Sequence, residues 1–235
     1  MTYAVPALEV LADAEAVAHR AADWLAERLQ EALAMRGRAT LAVSGGQTAP
    51  RALAIAAERN VRWEDVEVLQ VDERVAPAGH PDRNAVAQRA AFARFVERHP
   101  RRFHWLPVEA ADLDAAAAAH GRELIGIAGK PPVLDVVHLG IGEDGHTASL
   151  VPGSPALDAA SLVVATGEYM GRRRMTLTFP VLNRARHILW IVTGAKKQAA
   201  LERLLRGDPA LVASRVRRTA AIVLADVEAA PRQLL

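Results

Sequence analysis

Apolar positions along the chain follow two alternating rhythms. From Ala14 to Met35 they recur at helical spacing (Val17, Ala21, Trp24, Leu25, Leu29, Leu33), with Asp13 as N-cap and Gly37 as the stop, which predicts a long helix. Thr40–Val43 is a short β-branched run ending at Ser44-Gly45-Gly46, and a second helix follows from about Pro50 to Arg59. Val66–Val71 reads as a buried strand that runs out at Asp72-Glu73-Arg74. Helical patterns then cover Asn84–Glu97 and Asp112–Ile127. Pro132–Leu139 is the third clear strand and ends at Gly140-Ile141-Gly142; Ser161–Ala165 and Met175–Phe179 are two more. The apolar strand His187–Val192 ends at Thr193-Gly194, a helix runs from Lys196 to Leu205, and Thr219–Leu224 makes a last strand.

Strands written as continuous apolar runs and separated by helices predict an α/β fold. Its central sheet is mostly parallel, with helices on both faces. At 235 residues and 51% apolar content the chain can bury one continuous core, so 1–235 is read as a single domain. No stretch reads as a linker, nothing repeats at a fixed period, and the alanine run Ala115–Ala119 reads as helix surface. Polar and glycine-rich residues sit at the C-terminal ends of four strands: Ser44–Thr48, Asp72–Arg74, Gly142–Thr147 and Thr193–Lys197. Open α/β sheets bind ligands outside those strand ends, so the pattern points to one rim.

Composition narrows the chemistry. There is no cysteine, which removes disulfides, thiolate zinc sites and cysteine nucleophiles together and suits a reducing compartment. Met1–Leu11 carries Glu9 and lacks the basic start and long apolar stretch of a signal peptide, and no run approaches membrane-spanning length. The expectation is therefore a cytoplasmic protein without a membrane partner. Net charge is only +2, and aromatics are 4%, so the basic clusters Arg172–Arg174 and Arg215–Arg218 do not form the basic, aromatic-interleaved stripe of a nucleic-acid binder.

Each motif has a bland reading beside the functional one. Ser44-Gly45-Gly46-Gln47-Thr48, between a strand and a helix, offers backbone amides and hydroxyls to an anion, but is equally an ordinary tight turn; it is not a Walker loop. The bare triplet Asp72-Glu73-Arg74 reads first as a solvated loop whose charges pair with one another. Gly140-Ile141-Gly142-Glu143-Asp144-Gly145-His146-Thr147 formally contains Gly-x-Gly-x-x-Gly. Pro152, Gly153 and Pro155 end any following helix too early for a dinucleotide site, and Asp144 would face the pyrophosphate. His146 stands in a polar turn and not on an apolar face. An unperturbed imidazole, with a pKa of about 6.5, is mostly neutral at pH 7 and ready to accept a proton. His138, inside an apolar strand, reads as buried and hydrogen-bonded, and His80 follows Asp72–Arg74 closely enough to approach the same rim. No histidine has a partner at zinc-ligand spacing, so no metal or other cofactor is expected. Arg174 and Lys197, if they converge on that rim, would clamp a phosphate.

Taken together, Ser44 to Thr48, Asp72 to Pro77, Gly140 to Gly153 and Arg174 to Lys197 resemble the 6-phosphogluconolactonases, within a wider group of sugar-phosphate isomerases and deaminases. The pattern Gly-x-Gly-x-Asp-Gly-His-Thr-Ala-Ser-Leu-x-Pro-Gly stands intact from Gly140 to Gly153. The resemblance implies a Rossmann-like sheet and metal-independent hydrolysis of a sugar-phosphate lactone, the second step of the oxidative pentose phosphate pathway. It also implies that His146 is the general base, that Asp144 and Asp72 shape the site, and that Arg74 stabilises developing negative charge. Ser44, Gly45, Gly46, Thr48, Arg174 and Lys197 would hold the phosphate, in a monomer or weak homodimer. The chain departs from the family pattern at Ala49, which precedes Pro50, at Arg83, and at Met170-Gly171, where a proline often stands. The alternatives are a glucosamine-6-phosphate deaminase and a non-catalytic sugar-phosphate sensor. The deaminase turn carries a glutamate where this chain has Val151, and Met1–Arg38 has no helix-turn-helix pattern for a regulator.

Overall fold

The structure is a computed structural model that describes residues 6–232. In chain order the strands and α-helices are β1 (Ala7–Leu11), α1 (Ala14–Arg36), β2 (Ala39–Val43), α2 (Ala49–Ala57), β3 (Val66–Gln70), β4 (Asp72–Arg74), α3 (Asn84–Ala91), α4 (Ala93–Arg98), β5 (Phe103–His104) and α5 (Leu113–Ala128). They continue with β6 (Val136–Leu139), β7 (Val163–Tyr169), β8 (Arg172–Leu177), α6 (Phe179–Leu182), β9 (His187–Val192), α7 (Gln198–Arg206) and β10 (Ala221–Asp226).

Seven strands form one sheet in the order β1-β10-β9-β6-β2-β3-β5, and every pairing in it is parallel. Helices cover both faces, as the apolar runs require. Leu41 and Val43 of β2 and Leu189 and Ile191 of β9 point into a core shared with Leu25 and Leu29 of α1 and Leu53 of α2. Their neighbours Ala42, Ile188, Trp190 and Val192 enter a second core with Leu124 of α5 and Leu201 of α7. That period-of-two division is what a buried parallel strand imposes.

From β2 the chain winds outward to β3 and β5, then returns to the other side of β2 with β6, β9 and β10. The order therefore reverses between β2 and β6, which opens a crevice at their C-terminal ends.

A second sheet was not foreseen. β4, β8 and β7 form a three-stranded antiparallel sheet, so Asp72–Arg74 is a strand and not a loop. Val71 is the junction: its amide donates to Val43 O at 2.9 Å in the large sheet, and its carbonyl accepts from Leu177 N at 2.8 Å beside the small one.

Several boundaries also shift. The predicted helix Asn84–Glu97 breaks at Phe92, whose ring enters an aromatic cluster with Trp63 (5.2 Å) and Phe103 (5.6 Å). The strand predicted from Pro132 begins at Val136, beyond prolines that have no amide to donate to a ladder. The strand predicted at Met175–Phe179 runs from Arg172 to Leu177, and Phe179 opens the short helix α6. The strand predicted at Ser161–Ala165 starts later and extends to Tyr169. β1 and β5 were missed. Of the stretch Met1–Leu11, the first five residues lie outside the described ones. Among the described residues no helix is long and apolar enough to cross a membrane.

Candidate active site

A cavity of about 580 Å³ opens at the crevice between β2 and β6, within the size range of small-molecule sites. Ser44 to Ala49 line one wall, Gly140 to Glu143 and His146 a second, Asp72, Arg74 and Arg174 a third, and Thr193 to Lys197 a fourth. The four polar strand ends therefore meet around one space. Nine of the ten site residues read from the sequence line it, and Asp144 stands behind His146.

The first turn is built for close approach. Gly46 has φ +125°, a region closed to ordinary side chains. Thr48 then stands at the N-cap position of α2 without a side-chain capping bond, and the first turn carries no acidic residue, so the helix's positive end faces the cavity without local compensation. Thr48 Oγ1 lies 2.7 Å from Thr193 Oγ1, tying this turn to the one that follows β9.

The second turn sets the histidine. Gly142 N donates to His146 O at 2.8 Å, and Gly145 N donates to Gly142 O at 3.0 Å, folding the loop back on itself. A β-carbon on Gly142 would lie 2.0 Å from His146 Nδ1 and 2.4 Å from Asp144 Oδ1, so only glycine leaves room for the pair. His146 Nδ1 sits 2.5 Å from Asp144 Oδ1, and the other carboxylate oxygen accepts from Tyr169 Oη at 3.0 Å. Burial works to raise the Asp144 carboxyl, but the hydrogen bonds from His146 and Tyr169 prevail and hold it below the usual carboxylate range.

The small sheet supplies the arginines. Arg74 and Arg174 are direct cross-strand partners of β4 and β8. Like charges so placed repel each other. Arg174 is buried with its Nε unpartnered. Burial, aided by the Arg74 charge and opposed by Asp72 and Tyr169, lowers its guanidinium below the usual arginine range. Two opposed guanidinium groups stand on a cavity wall, one of them buried and short of acceptors, an arrangement suited chemically to an anion. Of the three consecutive arginines only Arg174 reaches the cavity; Arg172 pairs with Asp82 at 2.9 Å, and Arg173 is exposed. His80 sits beside that pair, 3.3 Å from the Arg172 guanidinium, and does not line the cavity.

The carboxylates of the triplet are not solvated, contrary to the first reading of the bare sequence. Asp72, 3% exposed, accepts from Ser44 Oγ (3.1 Å) and Ser149 Oγ (2.7 Å). Glu73 is fully buried and turns away from the cavity to take the amides of Asn84 (2.7 Å) and Ala85 (2.8 Å) at the start of α3. Ser149, Asn84 and Tyr169 were missed as site residues. Ser149 lies in the glycine-rich pattern, but its bond to Asp72 spans 77 positions. His138 is buried as expected and accepts from Ser44 N at 3.3 Å; burial pushes its imidazole down to about 4, so it is neutral at pH 7. Among the described residues no group of three or more His, Asp or Glu side chains could hold a metal ion.

Comparison with known proteins places the chain in a family. The family described as glucosamine-6-phosphate isomerases/6-phosphogluconolactonase matches residues 12–224. A 6-phosphogluconolactonase of Synechocystis sp. is 36% identical over 200 residues, covering 83% of each chain. One from Mycobacterium tuberculosis is 33% identical over 242 aligned residues, covering 96% of this chain and 97% of its own. The crystal structure of a 6-phosphogluconolactonase from Shewanella baltica superposes with a TM-score of 0.81 at 27% identity, covering 94% of this chain and 98% of its own. On the strength of the matched residues, the shared fold and the intact glycine-rich pattern, the chain belongs to the glucosamine-6-phosphate isomerase/6-phosphogluconolactonase family.

Proposed function

We propose that this chain hydrolyses 6-phospho-D-glucono-1,5-lactone to 6-phospho-D-gluconate, the second step of the oxidative pentose phosphate pathway, with His146 as general base. The observation that carries the reading is a carboxylate-oriented imidazole sharing one cavity with an opposed arginine pair. A lactone with a phosphate remote from its carbonyl needs both: a base at one end and an anion grip at the other.

In this reading the phosphate is held by the Ser44–Thr48 turn, Arg174 and Lys197, which fixes the lactone carbonyl near His146. Asp144 accepts a hydrogen bond from Nδ1–H, which fixes the tautomer that leaves Nε2 to accept a proton from the attacking water. As the water oxygen bonds to C1, charge develops on the carbonyl oxygen, and Arg74 with backbone amides stabilises it. The protonated imidazole then returns its proton to the ring oxygen as the C1–O bond breaks. The product acid ionises in water. The imidazole, not a metal-bound hydroxide, activates the nucleophile. A cysteine-free chain suits the cytoplasmic setting that this reading carries.

The family also holds deaminases. Valine at 151 can neither ionise nor accept a hydrogen bond through its side chain, so the glutamate of the deaminase turn has no substitute there. The test is phosphogluconate formation from fresh lactone, measured against the spontaneous rate. General-base assistance contributes about 10² to 10⁴ in rate, so His146→Asn lowers kcat by that range while phosphogluconate binding stays nearly constant. Wild-type turnover in that variant removes His146 from the role.

A further inference from the structure

Tyr169 is the last residue of β7, next to Met170, which lines the cavity. The β7–β8 register runs regularly from Val163↔Leu177 to Thr166↔Arg174, then shifts, so that Tyr169 opposes Arg172. Such an irregularity re-aims the side chains beyond it. The connecting turn is tight: Met170 (φ +52°) and Gly171 (φ +75°) both adopt the left-handed conformation that a two-residue hairpin of this type demands. Met170 does so despite its β-carbon, and lines the cavity with 78% of its surface exposed. Left-handed backbone at a non-glycine residue persists where the surroundings fix it, and such positions cluster at functional sites.

The re-aimed phenol touches both halves of the site. Its hydroxyl donates to Asp144 Oδ2 at 3.0 Å while His146 holds Oδ1, so both oxygens of one carboxylate are engaged and the group cannot swing off the imidazole. The hydroxyl also lies 3.4 Å from His146 Nδ1, and the two rings meet edge to face with centroids 5.3 Å apart. The Arg174 guanidinium lies 5.0 Å from the ring centroid, a cation–π contact. Burial and the neighbouring Asp144 carboxylate push the phenol above its usual range, so it remains a donor at neutral pH.

We propose that Tyr169 is a positioning residue: its hydroxyl locks the Asp144 carboxylate that orients His146, and its ring seats Arg174 for the substrate phosphate. The proposal rests on the reading of His146 as base.

The two functions of the side chain separate by substitution. Tyr169→Phe keeps the ring and deletes the hydroxyl, and loss of a partly screened hydrogen bond to a carboxylate lowers kcat by about 3- to 30-fold. KM for the lactone and the thermal midpoint stay unchanged in that variant. Tyr169→Ala lowers kcat similarly and also raises KM, because Arg174 loses its seat. If the hydroxyl acts through Asp144, adding Tyr169→Phe to Asp144→Asn, assayed at high enzyme concentration over the spontaneous rate, brings no further loss. Wild-type kcat in Tyr169→Phe, or the same fold-loss in both backgrounds, overturns the proposal. Full activity in His146→Asn would instead sink the base assignment, whereas a crippled His146→Asn beside an unimpaired Tyr169→Phe sinks this proposal alone.

Discussion

Glu73→Gln is the substitution on which the buried architecture of this site can be judged most sharply. The side chain is fully buried, and all its neighbours are donors: Oε1 accepts from Arg74 N (2.8 Å) and Asn84 N (2.7 Å), Oε2 from Gln70 Nε2 (2.8 Å) and Ala85 N (2.8 Å). Arg83 Nε lies 3.3 Å from Oε2, close enough for an ion pair though poorly aligned for a hydrogen bond. Glutamine is isosteric but carries one oxygen and one NH₂. Whichever way the amide turns, two donors confront a third and lose their acceptor, and Arg83 keeps only Glu109 and the carbonyl of Ala76. Each of the two buried donors left without a partner costs about 1–3 kcal/mol, and Arg83 retains Glu109 as its counter-ion, so the net loss is about 2–6 kcal/mol. For a chain of this length that is roughly a 10 °C fall in thermal midpoint. Urea unfolding at pH 7 measures it as a lower midpoint at constant slope. Because Glu73 holds the start of α3, and Asn84 there binds both Asp72 O and Arg74, kcat falls as well. A loss below about 1 kcal/mol would refute the claim that the carboxylate clamps this helix to the site.

Two further outcomes follow from the same geometry. Gly142→Ala puts a methyl group into the space of His146 and Asp144, so kcat falls at least about tenfold while phosphogluconate affinity, measured by calorimetry, is retained; unchanged kcat would mean the pair does not need its present position. His138, pushed down to about 4 from 6.5 by burial, binds its proton more weakly folded than unfolded, so its contribution is whole above pH 6.5 and is lost as pH falls toward 4, about 3 kcal/mol in all. Burial pushes His120 and His187 in the same direction, so the test is urea unfolding across that window in the wild type and in His138→Gln, where a slope equal to the wild type's would exclude His138 as its source.

What the sequence disclosed depends on how far apart the cooperating residues are. The helix Ala14–Arg36 was legible almost to the residue because its cap, stripe and stop are local: Asp13 accepts from Ala16 N, and Gly37 takes the left-handed conformation. The contact between His146 and Asp144 was legible for the same reason, the two lying two positions apart in one pattern. The small sheet was not legible, since β4 is three residues long, all charged, and its burial depends on amides eleven and twelve positions downstream and on a strand about a hundred residues away. Tyr169 had only a weak signal, a departure from the family pattern at the adjacent Met170-Gly171; nothing local says that a register shift would turn the ring toward Asp144.

The site lies where the two sheets meet because neither can build it alone. The parallel sheet ends in glycine turns rich in amides, suited to an anion, and brings Lys196 and Lys197 after β9, but it provides no arginine to the cavity. The antiparallel sheet brings two arginines face to face, an arrangement that repels itself and gains nothing for folding. Asp72 reconciles them. Its carboxylate ties the first turn through Ser44 and the glycine-rich loop through Ser149, and its charge offsets Arg174 across the strand pair. A buried carboxylate satisfied by two hydroxyls, with no guanidinium bonded to it, leaves both arginines free to face the cavity. Had Asp72 captured either one in a bidentate pair, the fold would gain a stronger contact and the cavity would lose an available guanidinium. The weaker arrangement is the one that the proposed grip on a phosphate requires.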